Sequence, residues 1–173
     1  MNYQIGELKK RIADYSVLFL IAGFVILLDQ TTKEAVRLNL MFGEIYRPDL
    51  WISQYARFVH LNNTGAIIGI FQNMSSFLKV FPLIVSVVIL YYFPRVPPGA
   101  WLIRLSMGLY LGGALGNLID RLRQGFVTDY ISVGSFPVFN VADACVSIGL
   151  ITLIAGLWLH ERAKKGPPQE LSV

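Results

Sequence analysis

The chain has 173 residues, of which 54% are hydrophobic and 15% are charged, and its mean hydropathy is +0.54. Soluble domains carry about 25% charged residues, so this composition indicates one membrane domain and argues against a soluble enzyme. The net charge of +4 is small, and the basic residues are not interleaved with aromatic residues, so we expect no nucleic-acid partner. The single cysteine, Cys145, excludes an intramolecular disulfide and is interpreted as a small packing residue.

Four apolar stretches follow one another along the chain and predict four transmembrane helices. We place these spans at residues 12–30, 74–93, 99–119 and 140–160. The first apolar run, Tyr15 to Leu28, follows three basic residues, as in a signal peptide. No small-residue cleavage site comes after it, so we interpret the run as an uncleaved anchor.

Four spans would place both termini on one side of the membrane. That side would carry eight Lys and Arg residues and the other side six, so the positive-inside rule favours cytoplasmic termini. In this topology Asp29 closes the first span, Asp120 closes the third, and Asp143 opens the fourth. Asp129 lies in the loop before Asp143, so all four acids are expected at the outer face of the membrane.

The long connection between the first two spans, residues 31–73, has apolar content of its own and is expected to form a platform. Its stretch from Leu50 to Leu61 is rich in β-branched and aromatic residues, which favour short strands. The residues that follow, Asn62–Gly65, are a turn signal. Three aromatic residues are expected at the level of the lipid headgroups: Trp51, Tyr55 and Phe58.

The predicted fold is therefore a membrane all-α bundle of four transmembrane helices. A small extracytoplasmic β-rich platform lies between helices 1 and 2. Residues 1–173 form a single domain, and residues 164–173 are expected to be a disordered tail.

A glycine stripe occupies the third span, where Gly108, Gly112 and Gly116 recur every four residues with Gly113 beside them. This spacing is typical of close helix–helix packing in membranes. A dinucleotide-binding fingerprint is excluded because no strand precedes the glycines and no βαβ unit is present.

The acids at the outer face have structural interpretations that compete with catalysis. Asn140 and Asp143 have the spacing of an N-cap and its N3 partner. Asp143 can stabilise a helix start in this way and also act in catalysis. Asp129 lies between apolar residues, but a turn-capping Asp is an alternative. Asp29 and Lys33 are spaced as a helical i, i+4 ion pair.

Asp120 is expected to end its helix and to pair with one of the neighbouring arginines, Arg121 or Arg123. Arg121 could instead point towards a substrate carbonyl. The two histidines, His60 and His160, lie far apart, and no His, Cys or Glu cluster has the spacing of metal ligands. We therefore expect neither a metal ion nor another cofactor.

Asp129 and Asp143 are the acids best explained as a catalytic pair. Two carboxyl groups held close together cannot both ionise cheaply, so one keeps a proton while the other is charged. The charged group can take a proton from water and the protonated group can donate to a carbonyl oxygen, which hydrolyses a peptide bond without a metal.

Three other functions remain open at this point. An ion-coupled transporter would also carry acids in its spans, although here they cluster at one face and none lies in mid-span. A lipid-headgroup transferase would need a clustered Asp motif for metal binding, which is missing. A small assembly subunit without chemistry would fit the glycine stripe.

The sequence resembles the bacterial lipoprotein signal peptidase family, signal peptidase II, whose members are aspartic membrane peptidases. The matching blocks follow the family's order: Leu28–Lys33, Asn63–Ala66, Gly112–Arg121, Val127–Ile131 and Phe139–Asp143. The family commonly has Val-Asp-Phe where this chain has Thr128, Asp129 and Tyr130, and often Ser where Ala144 stands.

The resemblance implies that the catalytic dyad is Asp129 and Asp143. The residues that it implies as substrate-binding or supporting are Asp29, Lys33, Asn63, Gly113, Asn117, Asp120, Arg121 and Asn140. The implied reaction is removal of the signal peptide from a diacylglyceryl-modified prolipoprotein, cleaved just before the lipidated cysteine.

The same resemblance implies a location in the bacterial cytoplasmic (inner) membrane, with an active site at the outer face. The expected partners are the lipid-modified prolipoprotein, membrane lipids and cyclic peptide inhibitors such as globomycin. We expect the protein to act as a monomer.

Overall fold

The structure, a computed structural model, describes residues 2–65 and 75–165. These residues contain the helices α1 (Asn2–Asn39), α2 (Ser75–Tyr92), α3 (Trp101–Arg123) and α4 (Val141–Lys165). They also contain the strands β1 (Ile45–Tyr46), β2 (Ala56–Asn63) and β3 (Val127–Val133). Short 3-10 turns cover Trp51–Gln54 and Phe93–Arg95.

The helices have the length and composition of a membrane protein. Three segments are long and apolar enough to cross a membrane: Ile12–Asn39, Trp101–Arg123 and Val141–Lys164. The remaining apolar stretch, Val80–Arg95, is shorter and consists of most of α2 and the 3-10 turn after it. The described part of the chain thus confirms a mostly helical membrane fold, with three long spans where the sequence predicted four.

The predicted boundaries of the platform and of the tail differ from the observed elements. Helix α1 continues to Asn39, so the first part of the predicted platform is helical. Helix α4 continues to Lys165, and the rest of the predicted tail, residues 166–173, lies outside the described residues. Residues 66–74, which include the end of the predicted platform and the start of the second predicted span, also lie outside them.

One strand of the small sheet comes from a part of the chain where the sequence did not predict a strand. Strands β1 and β2 lie between α1 and α2 as expected, but the third strand, β3, comes from the connection between α3 and α4. The strands are antiparallel in the order β1-β2-β3, and Leu61 lies opposite Asp129 in the β2–β3 pair. Strand β3 is buried on both faces, so it lacks the alternating pattern by which a half-exposed strand is recognised.

Helix α3 is the central helix of the bundle and contacts α1, α2 and α4. In the most apolar part of α3, 61% of the residues are buried, against 22% in α1 and 17% in α4. The glycine stripe explains these close contacts. A Cβ on Gly112 would lie 2.6 Å from Cβ of Val25 in α1, and one on Gly113 would lie 2.5 Å from the carbonyl oxygen of Ala142 in α4. The predicted packing role of the stripe is confirmed.

The apolar core and the polar core occupy opposite ends of the bundle. Leu18, Ala22, Ile89, Phe93 and Leu111 form an apolar cluster in the half remote from the sheet. The ends of α1 and α3, the start of α4 and the sheet meet at the other end. Most of the buried polar residues lie there, as described next.

Candidate active site

Asp129 lies in the middle of β3, and its side chain is only 2% exposed. Its carboxyl group accepts hydrogen bonds from two amide side chains. Asn63 Nδ2 donates to Oδ2 at 2.7 Å, and Asn140 Nδ2 donates to Oδ1 at 2.6 Å. Asn63 reaches it from β2, where it pairs with Val127 and so lies diagonal to Asp129.

Asp143 lies in the first turn of α4 and is half-buried. Asn140 forms a reciprocal capping box with it: the Asp143 backbone N–H donates to Asn140 Oδ1 at 2.9 Å, and the Asn140 backbone N–H donates to Asp143 Oδ2 at 3.3 Å. Asn117 Nδ2 of α3 donates to Asp143 Oδ1 at 2.7 Å. The predicted helix start is therefore confirmed, and it fixes the position of Asp143.

The two acids, which we call the carboxyl pair, are connected through one side chain. Asn140 donates to the Asp129 carboxyl and accepts from the Asp143 backbone, and its own side chain is fully buried. The pair therefore sits on either side of a fixed amide, where β3 meets the start of α4.

The surroundings of Asp129 make its carboxyl group easier to protonate than an ordinary Asp side chain. Burial raises the pKa of the Asp129 carboxyl from its ordinary 3.8 to about 6, against the opposing hydrogen bond from Asn63. The negative charge of Asp143 raises this pKa further. A carboxyl group that titrates near neutral pH beside a second carboxyl group is suited to acid–base catalysis.

A second set of charged residues lies beside the pair. The Lys33 ammonium, which is fully buried, lies 2.8 Å from Asp29 Oδ2 and 3.2 Å from Asp120 Oδ2. Arg37 Nη1 lies 3.6 Å from Asp120 Oδ1. We call these four residues the ionic cluster. Lys33 also donates to Asn117 Oδ1 at 2.9 Å, which links the cluster to the pair.

The structure confirms the predicted Asp29–Lys33 ion pair and corrects the prediction for Asp120. Asp120 forms its ion pairs with Lys33 and Arg37 of α1 instead of Arg121 or Arg123. Adjacent residues of a helix point in directions about 100° apart, so Arg121 points away from the neighbour of Asp120, and Arg123 is exposed. The buried end of α3 faces α1, and the cations of α1 are the ones within reach.

Arg121 is half-buried in the last turn of α3. It lies within electrostatic reach of Asp143, Asp129 and Asp120. It forms no hydrogen bond or short ion pair with the residues that the structure describes, so its donors remain available beside the carboxyl pair.

The sequence analysis assigned no role to Thr128 and Tyr130, the two residues that flank Asp129. The Thr128 hydroxyl accepts hydrogen bonds from Arg37 Nη1 at 3.0 Å and Gln124 Nε2 at 3.1 Å, and its backbone N–H donates to Asp120 Oδ2 at 3.0 Å. The Tyr130 hydroxyl donates to Thr32 Oγ1 at 2.6 Å. Thr128 and Tyr130 are the two positions where this chain departs from the common Val-Asp-Phe pattern. That departure could have indicated that their hydroxyl groups form hydrogen bonds.

The chemistry of the site rests on oxygen and amide groups. Within the described residues, no three His, Cys, Asp or Glu side chains come together as metal ligands. His60 uses Nδ1 in a contact with the Leu40 carbonyl oxygen, 2.9 Å away. The arrangement can hold and transfer protons through the carboxyl pair.

Comparison with known proteins decides the family. The Peptidase_A8 family model, described as signal peptidase (SPase) II, matches residues 21–159. The chain belongs to the signal peptidase II family. It is therefore a peptidase, an enzyme that hydrolyses peptide bonds, and the resemblance found in the sequence motifs is confirmed.

Similar signal peptidases come from several bacteria. A lipoprotein signal peptidase of Moorella thermoacetica is 38% identical over 137 residues, covering 78% of this chain and 87% of the relative. One from Halothermothrix orenii is 36% identical over 147 residues, covering 84% of this chain and 98% of the relative.

Two solved structures share the fold of this signal peptidase II chain. Both are described as bacterial membrane enzyme structures obtained by the in meso method. The first has a TM-score of 0.76 at 28% identity and covers 91% of this chain and 95% of its own. The second has a TM-score of 0.74 at 31% identity and covers 82% of this chain and 92% of its own.

Proposed function

We propose that this chain is an intramembrane aspartic endopeptidase that removes the signal peptide from diacylglyceryl-modified prolipoproteins. Cleavage falls just before the lipidated cysteine. The names of the relatives, lipoprotein signal peptidases, support the substrate class. The observation that carries the catalytic assignment is Asn140, whose side chain bonds to both Asp129 and the backbone of Asp143.

The proposed mechanism uses the carboxyl pair as acid and base. The Asp143 carboxylate takes a proton from a water molecule, whose oxygen attacks the scissile carbonyl carbon. Protonated Asp129 donates its proton to the carbonyl oxygen, which gives a neutral tetrahedral diol. Asp143 then returns a proton to the leaving nitrogen, the C–N bond breaks, and Asp129 regains its proton from the diol. The raised pKa of Asp129 supports its role as the proton donor.

The other predicted site residues have separate roles in this proposal. Asn63, Asn117 and Asn140 orient the two carboxyl groups by hydrogen bonds. Arg121, with its donors available beside the pair, binds the substrate carbonyl and stabilises the developing negative charge. Four residues hold the helices that carry these groups: Asp29, Lys33, Gly113 and Asp120.

We further propose four crossings of the bacterial inner membrane, over the spans and the single domain expected from the sequence. The termini are cytoplasmic and the sheet lies at the outer face. The exposed side chains of Trp51 and Tyr55 support contact between the sheet and the membrane interface. The enzyme acts as a monomer without a cofactor, and cyclic peptides such as globomycin inhibit it by occupying the substrate site.

The test is cleavage of a precursor peptide by the purified enzyme in detergent. A precursor that carries diacylglycerol on its cysteine is expected to be cut just before that cysteine, and the same peptide without lipid is expected to remain intact. A metal chelator is the control and should leave the rate unchanged. Equal cleavage of both precursors would contradict the lipid requirement, and loss of activity with chelator would contradict the metal-free mechanism.

A further inference from the structure

A polar cavity of about 400 Å³ opens on the sheet, away from the carboxyl pair. It lies at the end of the β2–β3 pair where Arg57 is opposite Ser132, whereas Asp129 is paired with Leu61 further along the same strands. The residues that give the cavity its polar character are Arg47, Ser53, Gln54, Arg57 and Ser132.

The cavity carries two positive charges without a balancing carboxylate. Arg47 forms no hydrogen bond or ion pair with the described residues, and Arg57 uses only its Nε, which donates to Ser132 Oγ at 3.3 Å. Neither Glu44 nor Asp49, the acids nearest to Arg47 in the sequence, lines the cavity. A guanidinium group with free donors binds the oxygens of a phosphate group in a fixed geometry.

The segment beside the cavity has the character of a membrane-interface element. Trp51 is 81% exposed and Tyr55 is 63% exposed, and Leu50 and Ile52 next to them are exposed as well. Such aromatic and aliphatic side chains favour the boundary between lipid headgroups and acyl chains. Because Ser53, Gln54 and Tyr55 also line the cavity, its two arginines would lie at the level of the lipid phosphates.

We propose that this cavity binds the phosphate group of an anionic membrane lipid, with Arg47 and Arg57 as its ligands. The site is separate from the peptidase site and does not depend on the proposed reaction. Its occupant would hold the sheet at the headgroup layer while Trp51 enters the lipid beside it.

Trp51 provides a direct reporter of the lipid at this site. The chain has three tryptophans, so Trp101→Phe and Trp158→Phe leave Trp51 alone. The protein is reconstituted in phosphatidylcholine vesicles that contain a minor fraction of brominated phosphatidylglycerol or, in a matched set, brominated phosphatidylcholine. We expect brominated phosphatidylglycerol to quench Trp51 more strongly at equal fraction. One basic residue near an anionic membrane surface strengthens binding about fivefold, so each arginine removed should raise the half-quenching fraction about fivefold.

Matched variants separate this site from general charge effects. Arg47→Gln with Arg57→Gln is expected to remove the preference for phosphatidylglycerol, and either change alone should weaken it. Arg123→Gln, which removes one charge from an exposed residue at the same end of the bundle, should keep it. Arg47→Lys with Arg57→Lys retains the charge and should keep most of it, which also provides a result if the glutamine variant does not fold.

The remaining outcomes decide the source of the phosphate. Inorganic phosphate, added to the same ionic strength as a chloride control, is expected to displace the lipid only weakly. Equal quenching by the two brominated lipids in the Trp51 reporter protein that keeps both arginines overturns the proposal. An arginine-dependent response to inorganic phosphate without any lipid preference overturns the lipid as the occupant.

Discussion

Two groups of buried carboxyls lie side by side in this enzyme and handle their charge in different ways. In the ionic cluster, Asp29 and Asp120 lie against the Lys33 ammonium, and Arg37 adds a second cation. In the carboxyl pair, the hydrogen-bond donors to Asp129 are the neutral amides of Asn63 and Asn140. Asn117 separates the two groups and bonds to both.

The difference shows why residues of the same type can have different functions a few ångströms apart. A carboxylate that faces a buried ammonium group forms an ion pair, and removing either partner would leave the other buried without a compensating charge. A carboxyl group that is buried among neutral amides loses its hydration without gaining a cation, and this burial raises the pKa of Asp129 to about 6. The first arrangement suits structure, and the second suits proton transfer.

The largest expected effect comes from removing the acid–base function of the pair. Asp129→Asn and Asp143→Asn are each expected to lower kcat for a lipidated precursor by at least about a thousandfold, because the amide cannot exchange a proton with the substrate. Each replacement keeps the shape of the side chain, so the melting temperature in detergent should stay close to the original at pH 4, where Asp129 of the unsubstituted enzyme is protonated. Cleavage by either variant at the unsubstituted rate would show that the dyad is assigned wrongly.

The next largest effect should come from breaking the ionic cluster. Lys33→Met removes the buried cation and leaves Asp29 and Asp120 without it, so we expect the free energy of unfolding to fall by about 3–5 kcal/mol. Thermal unfolding in detergent measures this. Lys164→Met, the same replacement at an exposed position of α4, is the control and should have no effect.

Asp120→Asn sharpens the same test within the ionic cluster. It is expected mainly to lower the melting temperature, because Asp120 faces Lys33 and the Thr128 backbone N–H. A variant with an unchanged melting temperature but no cleavage would instead place Asp120 in the catalytic machinery.

The pH dependence should separate the two groups further. Folding raises the pKa of Asp129 from 3.8 to about 6, so the protonated form favours the folded state. This contribution, roughly 3 kcal/mol, is complete below pH 3.8 and is lost as the pH rises through about 6. If Asp129 is the proton donor, kcat/KM should also fall as the pH rises through about 6.

Asp129→Asn is the control for this pH experiment. The variant has no carboxyl group at this position, so its melting temperature should lack the loss between pH 4 and pH 6. The same loss in the variant and in the unsubstituted enzyme would assign the titration to another group.

The smallest expected effect concerns the residues that hold Asp129 in place. Thr128→Val removes the hydroxyl that accepts from Arg37 and Gln124, and we expect it to lower the free energy of unfolding by about 1–3 kcal/mol. Because Asn63 and Asn140 still bind the carboxyl, kcat should change little. A large loss of kcat with normal stability would make Thr128 part of the carboxyl pair's function.

The features that could be predicted from the sequence are those set by local spacing. Asn140 and Asp143 form a capping box, Asp29 and Lys33 form an i, i+4 ion pair, and Gly112 and Gly113 pack against neighbouring helices, all as the sequence patterns indicated. In each case the helical repeat brings the residues into position before any tertiary contact is known.

The features that were missed depend on which helix lies beside which. The partners of Asp120 are on α1, more than eighty positions away, and the spacing of charges along α3 could not indicate them. Strand β3 joins the sheet because α3 and α4 return to the same end of the bundle as β2. The motif blocks indicated candidate site residues, but the contacts between these blocks depend on the fold.

One hydrogen bond between α4 and α1 reports on the opening of the bundle. The Ala142 backbone N–H, in the first turn of α4, donates to Asp29 Oδ1 of α1 at 3.0 Å, across 113 positions of the chain. A first-turn amide normally exchanges its hydrogen with water as the helix end frays. Here exchange requires α1 to move away from α4. The exchange rate of this single amide therefore measures how often the two helices separate, and with them the frame that holds Asp143.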